Sequence, residues 1–277
     1  MTTSEHKKSS RPLPSNLIVV VSPPRAGSSM LASLLSRAAG HNMLPECDMF
    51  VRILDGRASL IVANDPYKNT PYAPDEDALD HAYKLLSNDL LANVVEHLGH
   101  PGRPLVLKAP DLCRHAARLH QLFDLPVRTV FLARDPRDIV ASLMNVRKRQ
   151  DMPDDIVPAI DMAMSYTAPF LAALEARKEE GDVLAVRYED IVARDPKTLS
   201  ELAAFTSLSL DLDGMEQVDI PEDHSSNPWY SLSFKQPVID TRVDAYKAQM
   251  TLENILNVEL YLKSFMDRFG YPFTAAS

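Results

Sequence analysis

The sequence predicts an α/β fold: a parallel sheet with helices on both faces, plus helical and loop insertions at one end. Three observations predict it. Short apolar runs rich in β-branched residues recur at 17–21, 104–107, 127–132 and 183–186. Helical periodicity fills the intervals between them. Turn residues bound the runs, so each reads as a buried strand joined to the next by a crossover and not by a hairpin.

The elements follow in order. Residues 1–15 are polar, with several Ser and Lys, and read as a disordered lead-in to a single domain over 16–277. After the first strand, a helix over 28–39 is stopped by Gly40. Residues 41–73 show weak periodicity and contain Pro45, Pro66 and Pro71, so loops with short helices are expected. Leu79, Tyr83, Leu86, Leu90 and Val94 mark a helix over 75–97. Further helices are predicted over 136–149, 154–180, 196–205 and 252–269, the second of them kinked near Pro158 and Pro169. In such a sheet, ligands bind at the carboxyl ends of the strands.

Composition narrows the function. With 277 residues, 45% of them hydrophobic and 24% charged, the chain has enough material for a large core. Its net charge of −9 gives no basic field for nucleic acid. Cys47 and Cys113 are the only cysteines, in no metal-ligand spacing, which reads as reduced thiols in a cytoplasmic protein. The run 17–21 is too short to cross a bilayer or to form a secretory core, so no membrane partner is expected. Nothing in the sequence indicates the oligomeric state.

Two segments carry the chemistry. The first is Ser22-Pro23-Pro24-Arg25-Ala26-Gly27-Ser28-Ser29, between a strand and a helix. That arrangement presents backbone N–H groups and a positive helix end to a phosphate. Gly27 permits close approach, Arg25 adds fixed charge, and Ser28 and Ser29 add hydroxyls. The triphosphate-binding loop G-x-x-x-x-G-K-[ST] is not matched, because its first Gly and its Lys are missing. This disfavours Mg²⁺-dependent triphosphate chemistry. The second segment is Arg134-Asp135-Pro136-Arg137-Asp138, with Ser142 eight residues after Arg134 on the helix that begins at Pro136. Asp135 and Pro136 suit a helix start by themselves. The spacing also lets Arg134 and Ser142 grip one phosphate between them.

Together with Lys108 after the intervening strand and Tyr188-Glu189-Asp190 after the next, these segments resemble the sulfotransferases that use 3′-phosphoadenosine-5′-phosphosulfate (PAPS). The resemblance implies a P-loop-type sheet. It assigns Pro24 to Ser29 to the 5′-phosphosulfate, Arg134 and Ser142 to the 3′-phosphate, and Tyr188 to the neighbourhood of the adenine. Three features of the cytosolic small-molecule branch are missing. Met30 replaces its loop Trp, Lys108-Ala109-Pro110 replaces its K-T-H, and its late R-K-G is absent. The remaining pattern is closer to the branch of tyrosylprotein, heparan and bacterial enzymes, whose base is a Glu about twenty residues beyond the loop cation. Glu46 stands 21 residues after Arg25. In the same branch a late Ser and Lys fold over the 3′-phosphate, with Ser226 and Lys235 as the equivalents here.

By this reading Arg25 and Lys108 serve the sulfonyl group and Glu46 takes the acceptor proton, with Asp111 and His115 as rival bases. No metal is implied, since the leaving group already rests on a phosphate loop. The acceptor, a hydroxyl or amine on a small molecule, peptide or glycan, is not named by the sequence. The competing functions are a P-loop kinase of a small metabolite and a non-catalytic nucleotide-binding relative.

Overall fold

A computed structural model describes residues 11–62, 73, 75–211, 229 and 242–274. Four parallel strands form its sheet: β1 (Leu17–Val21), β2 (Leu105–Lys108), β3 (Val127–Ala133) and β4 (Val183–Arg187), in the order β2-β1-β3-β4. Strands β1, β2 and β3 are buried on both faces, which is why they read as continuous apolar runs, whereas the edge strand β4 is only partly buried. Along β1, Leu17, Val19 and Val21 enter one core and Ile18 and Val20 the other. The first core also takes Phe50, Leu91, Phe131, Phe170 and Phe265, and the second takes Leu31, Leu35, Leu199 and Leu202.

Ten helices accompany the sheet among the described residues: α1 (Ser28–Ala39), α2 (Asp48–Val62), α3 (Glu76–Leu98), α4 (Pro136–Arg149), α5 (Val157–Arg177), α6 (Tyr188–Val192), α7 (Pro196–Thr206), α8 (Tyr246–Gln249), α9 (Leu252–Tyr261) and α10 (Lys263–Phe269). Two short 3₁₀ turns, Pro110–Arg114 and Leu119–Leu122, lie between β2 and β3. The expected stop at Gly40 holds: it is left-handed at φ 85 and donates to the carbonyls of Arg37 and Ser36.

Four expectations are corrected. Residues 48–62 form one long helix, where loops with short helices were expected. Pro45 and Pro66 flank this span without interrupting it, and Phe50, Val51, Ile53 and Leu54 form its buried stripe. The span 252–269 is two helices, because Leu262 leaves helical geometry at φ −107, ψ 20. Pro158 causes no kink; α5 begins at Val157, so the proline sits in the first turn, where its missing N–H is harmless. Residues 11–15 are anchored, not loose. Arg11 pairs with Glu96 at 2.8 Å, Gly102 N donates to Leu13 O at 3.1 Å, and Ser15 N donates to Arg103 O at 3.0 Å.

Helix α5 contains an 18-residue window with a mean hydropathy of 1.2 and is long and apolar enough by composition to cross a bilayer. It packs instead as a core helix: Phe170 meets Phe131 edge-on at 5.1 Å, and Arg177 is fully buried against Thr129, Ala116 and Asp182.

Candidate active site

The carboxyl ends of all four strands open onto one region. The loop after β1, Lys108 at the end of β2, Arg134 after β3 and Tyr188 after β4 all arrive there by topology alone.

The loop is shaped by two left-handed residues, Arg25 at φ 69 and Gly27 at φ 96. Gly27 is required twice over. A Cβ there would lie 2.5 Å from Cδ2 of Tyr188, so the Tyr188 ring rests directly on the loop. Gly27 is also the N-cap of α1 and supplies no side-chain cap. The helical pattern begins with Met30 N donating to Gly27 O, which leaves the amides of Gly27, Ser28 and Ser29 ahead of it at the positive end of α1. Ala26 contributes shape: its methyl is fully buried and its N–H donates to Pro23 O at 3.2 Å.

Lys108 and Glu46 meet at the mouth. Lys108 Nζ donates to Ser29 Oγ at 3.1 Å and to Glu46 Oε1 at 2.9 Å. The Lys108 side chain is only 6% exposed, whereas that of Glu46 is 41% exposed, so the carboxylate faces the open side. The rival bases are engaged elsewhere. Asp111 accepts from Tyr166 Oη at 2.9 Å and lies 3.5 Å from Arg114. His115 caps a 3₁₀ turn, with Nε2 2.9 Å from Asp55 Oδ1.

On the other side, Arg25 Nε donates to Ser142 Oγ at 3.0 Å and Arg25 Nη1 to the Trp229 carbonyl at 2.5 Å. Ser142 therefore contacts the loop arginine directly. Arg134 sits next to Arg25 and Tyr188: its Nη1 donates to Arg25 O at 3.0 Å, and its guanidinium lies 4.6 Å from the centre of the Tyr188 ring. The Arg25 guanidinium is pushed down to about 10, by burial first and then by the charges of Arg149, Arg134 and Arg242. Arg149 and Arg242 escaped the sequence reading. For Arg149 a signal existed: it lies seven residues after Ser142, two helical turns along the same face of α4. Ser226 and Lys235 lie outside the described residues.

The rest of the second segment is scaffold. Arg137 is buried and bonds Asp135 at 2.6 Å and Glu259 at 2.7 Å, while Asp135 also caps α4 through the Arg137 amide at 2.9 Å. Glu189 accepts from Asp135 N and from Tyr271 Oη, both at 2.9 Å. The Tyr-Glu-Asp segment is thereby fixed to the Arg-Asp-Pro turn, holding Tyr188 beneath Arg134.

A parallel α/β sheet whose strand ends gather three cations and an uncapped helix onto one loop defines a protein built to hold a phosphorylated ligand beside a carboxylate. The chain belongs to the sulfotransferase family, whose profile matches residues 17–212. Solved structures agree in fold. The sulfotransferase domain from the Synechococcus PCC 7002 olefin synthase superposes with a TM-score of 0.63 at 18% identity, covering 97% of this chain and 99% of that one. The sulfotransferase domain from the curacin biosynthetic pathway gives 0.61 at 16% identity, over 95% and 100%. Sulfotransferase STF9 from Mycobacterium avium gives 0.51 at 14% identity, over 96% and 78%. No curated protein sequence matches the chain. The enzyme is a sulfotransferase.

Proposed function

We propose that the sulfonyl donor is PAPS, that Arg25 and Lys108 hold its reacting end, and that Glu46 is the base. The observation that carries this reading is the Ser29–Lys108–Glu46 chain, which sets a cation between the phosphate loop and an outward-facing carboxylate. The donor fits the groups present. Arg134 has a buried Nε with no hydrogen-bond partner among the described residues, and the loop sets Arg25 and the amides at the positive end of α1 beside it. PAPS supplies an activated sulfonyl group and departs as the 3′,5′-bisphosphate.

Each residue then has a task. The amides of Gly27, Ser28 and Ser29 and the Arg25 guanidinium receive the 5′-phosphosulfate. Lys108 donates to the oxygen on which charge develops as the S–O bond breaks. Glu46 accepts the proton of the attacking hydroxyl or amine, and its exposure lets an acceptor reach it. Arg134 binds the 3′-phosphate, with Ser142 bridging to Arg25. Tyr188 supports the adenine end. The acceptor is a small molecule, peptide or glycan that approaches from the side of α2, α5 and the 3₁₀ turn after β2.

The test is direct. Incubation with PAPS and a panel of hydroxyl and amine acceptors, without divalent metal, should release 3′-phosphoadenosine-5′-phosphate. Saturating bisphosphate at about a hundred times Kd should stabilise the fold by about 2.7 kcal/mol. A protein that neither turns over nor shifts in stability, or one that responds to ATP with Mg²⁺ instead, would rule the proposal out.

A further inference from the structure

Strand β2 stands at one end of the strand order, so one side of its backbone faces away from the sheet. Leu105 N donates to Asn16 O on the β1 side at 3.0 Å, and the next residue, Val106, therefore turns its amide outward. A side chain answers that amide: Val106 N donates to His41 Nε2 at 3.4 Å. Two residues on, the outward carbonyl of Lys108 accepts from Cys47 N at 3.0 Å. The segment that carries Glu46 is thus fastened to the edge of β2 at both ends, by His41 and by Cys47. Between them Met43 is buried in the second core and Leu44 packs against the first.

The two partners of His41 fix its tautomer. Nδ1 lies 2.7 Å from the Asn42 carbonyl, which can only accept, so Nδ1 carries the hydrogen. Nε2 faces a backbone N–H, which can only donate, so Nε2 keeps its lone pair. The ring is 6% exposed, and burial is the first cause holding its pKa below the ordinary 6.5, against the pull of the Asn42 carbonyl. Its backbone is equally fixed. His41 N donates to Ser36 O at 3.0 Å, just past the left-handed Gly40 that ends α1. One imidazole therefore ties the end of α1 to the edge of β2, and a buried edge amide without it would go unpaired.

We infer that His41 is a positioning residue for sulfonyl transfer: as a neutral imidazole with its hydrogen on Nδ1, it sets the Glu46 segment in register on β2. The inference rests on the reading of Glu46 and Lys108 given above. Both ring nitrogens are committed to backbone groups, so His41 acts through the Glu46 carboxylate, which it helps to hold 2.9 Å from Lys108 Nζ.

The experiment compares wild type with His41→Gln, His41→Asn and His41→Leu. Turnover is read as bisphosphate release from PAPS with the panel of hydroxyl and amine acceptors, and nucleotide affinity by titration calorimetry with the bisphosphate. Gln places an acceptor oxygen near the position of Nε2, Asn places a polar group near that of Nδ1, and Leu fills volume with neither. His41→Leu and His41→Asn should lower kcat by about 10–100-fold, the cost of a misplacement of about 1 Å, with bisphosphate Kd within about threefold of wild type. His41→Gln should recover most of the loss. Hydrogen exchange at the Val106 amide should follow the same order, slow in wild type and His41→Gln and faster in the other two. In a Glu46→Gln background, His41→Leu should cost less than about threefold, because the group it positions is already disabled. Wild-type kcat in all three variants, a Gln variant no better than Leu, or an undiminished cost without Glu46 overturns the role of His41 and leaves the donor assignment standing. Bisphosphate binding that weakens in step with kcat does the same, and assigns His41 to the fold alone. Wild type that releases no bisphosphate with any acceptor of the panel overturns the assignment of Glu46 and Lys108, and this inference with it.

Discussion

The amide of Cys47 donates to the carbonyl of Lys108 at 3.0 Å, and this backbone bond places the Glu46 carboxylate 2.9 Å from the Lys108 ammonium. The segment before α2 is thereby docked onto the end of β2. A loop carboxylate becomes as well positioned as one on a strand, because its neighbour's backbone is tied to the sheet. The pair has unequal access to solvent, with the cation inside and the anion outside. Lys108 is therefore suited to the donor and Glu46 to the acceptor.

Glu46→Gln should lower turnover by about 10²–10⁴ while leaving bisphosphate affinity within a fewfold of wild type. Gln keeps the size and an acceptor oxygen for Lys108 but cannot take a proton. Asp111→Asn, tested alongside, should have the smaller effect, since Asp111 is held by Tyr166 and Arg114. Steady-state assays that rank the two variants the other way would move the base to Asp111.

Arg134→Ala should cost bisphosphate binding about 1.5–3 kcal/mol, and monophosphate binding much less. Its links to the Arg25 and Arg242 carbonyls are also lost, so a modest fall in melting temperature should accompany the change. Equal losses for the two nucleotides would assign Arg134 to the fold alone.

The sheet and the strand-to-helix turns after β1 and β3 were legible because local physics announces them. The β-branched runs, Gly40 as a stop, and Asp135 with Pro136 as a start need no tertiary information. Helix α2 was hidden by prolines that only flank it. The role of Ser142 was half legible: the helix spacing put it at the site, but its contact with Arg25 depends on how the loop turns at φ 69. Arg242 carried no sequence signal. It arrives through Asp138, which reaches across 106 residues to the amide of Asp244.

Asp138 gives a signed pH dependence. Burial is the first cause raising its carboxyl to about 6 from the ordinary 3.8, against the pull of Arg134 and two amides. The folded state therefore binds this proton more tightly than the unfolded chain does. Asp138's contribution is most favourable below the unfolded pKa, and it is lost as pH rises through the folded value near 6. Urea unfolding of wild type and Asp138→Asn at pH 5 and pH 8 should show wild type gaining, relative to the variant, about 1 kcal/mol at the lower pH. A relative gain at pH 8 instead would mean that its hydrogen bonds and Arg134 outweigh burial.

Gly27 offers the most local test of the loop. An Ala at this position faces two separate penalties. The left-handed φ of 96 is unfavourable for any residue with a Cβ, by about 1–2 kcal/mol. The new methyl would also lie 2.5 Å and 2.6 Å from two ring carbons of Tyr188, and overpacking of this kind commonly costs about 1–3 kcal/mol. The Tyr188 ring cannot simply withdraw, because Arg134 lies 4.6 Å from its centre and the following Glu189 is bonded to Asp135 and Tyr271. Gly27→Ala should therefore lower stability and weaken the bisphosphate together. Tyr188→Ala removes the clash but not the backbone strain. The double variant should then be less damaged than the sum of the two single changes, with a coupling of about 1 kcal/mol or more. Additive costs in urea denaturation would show that Tyr188 yields freely and does not brace the loop. Gly27→Ala with wild-type stability would show that neither penalty operates.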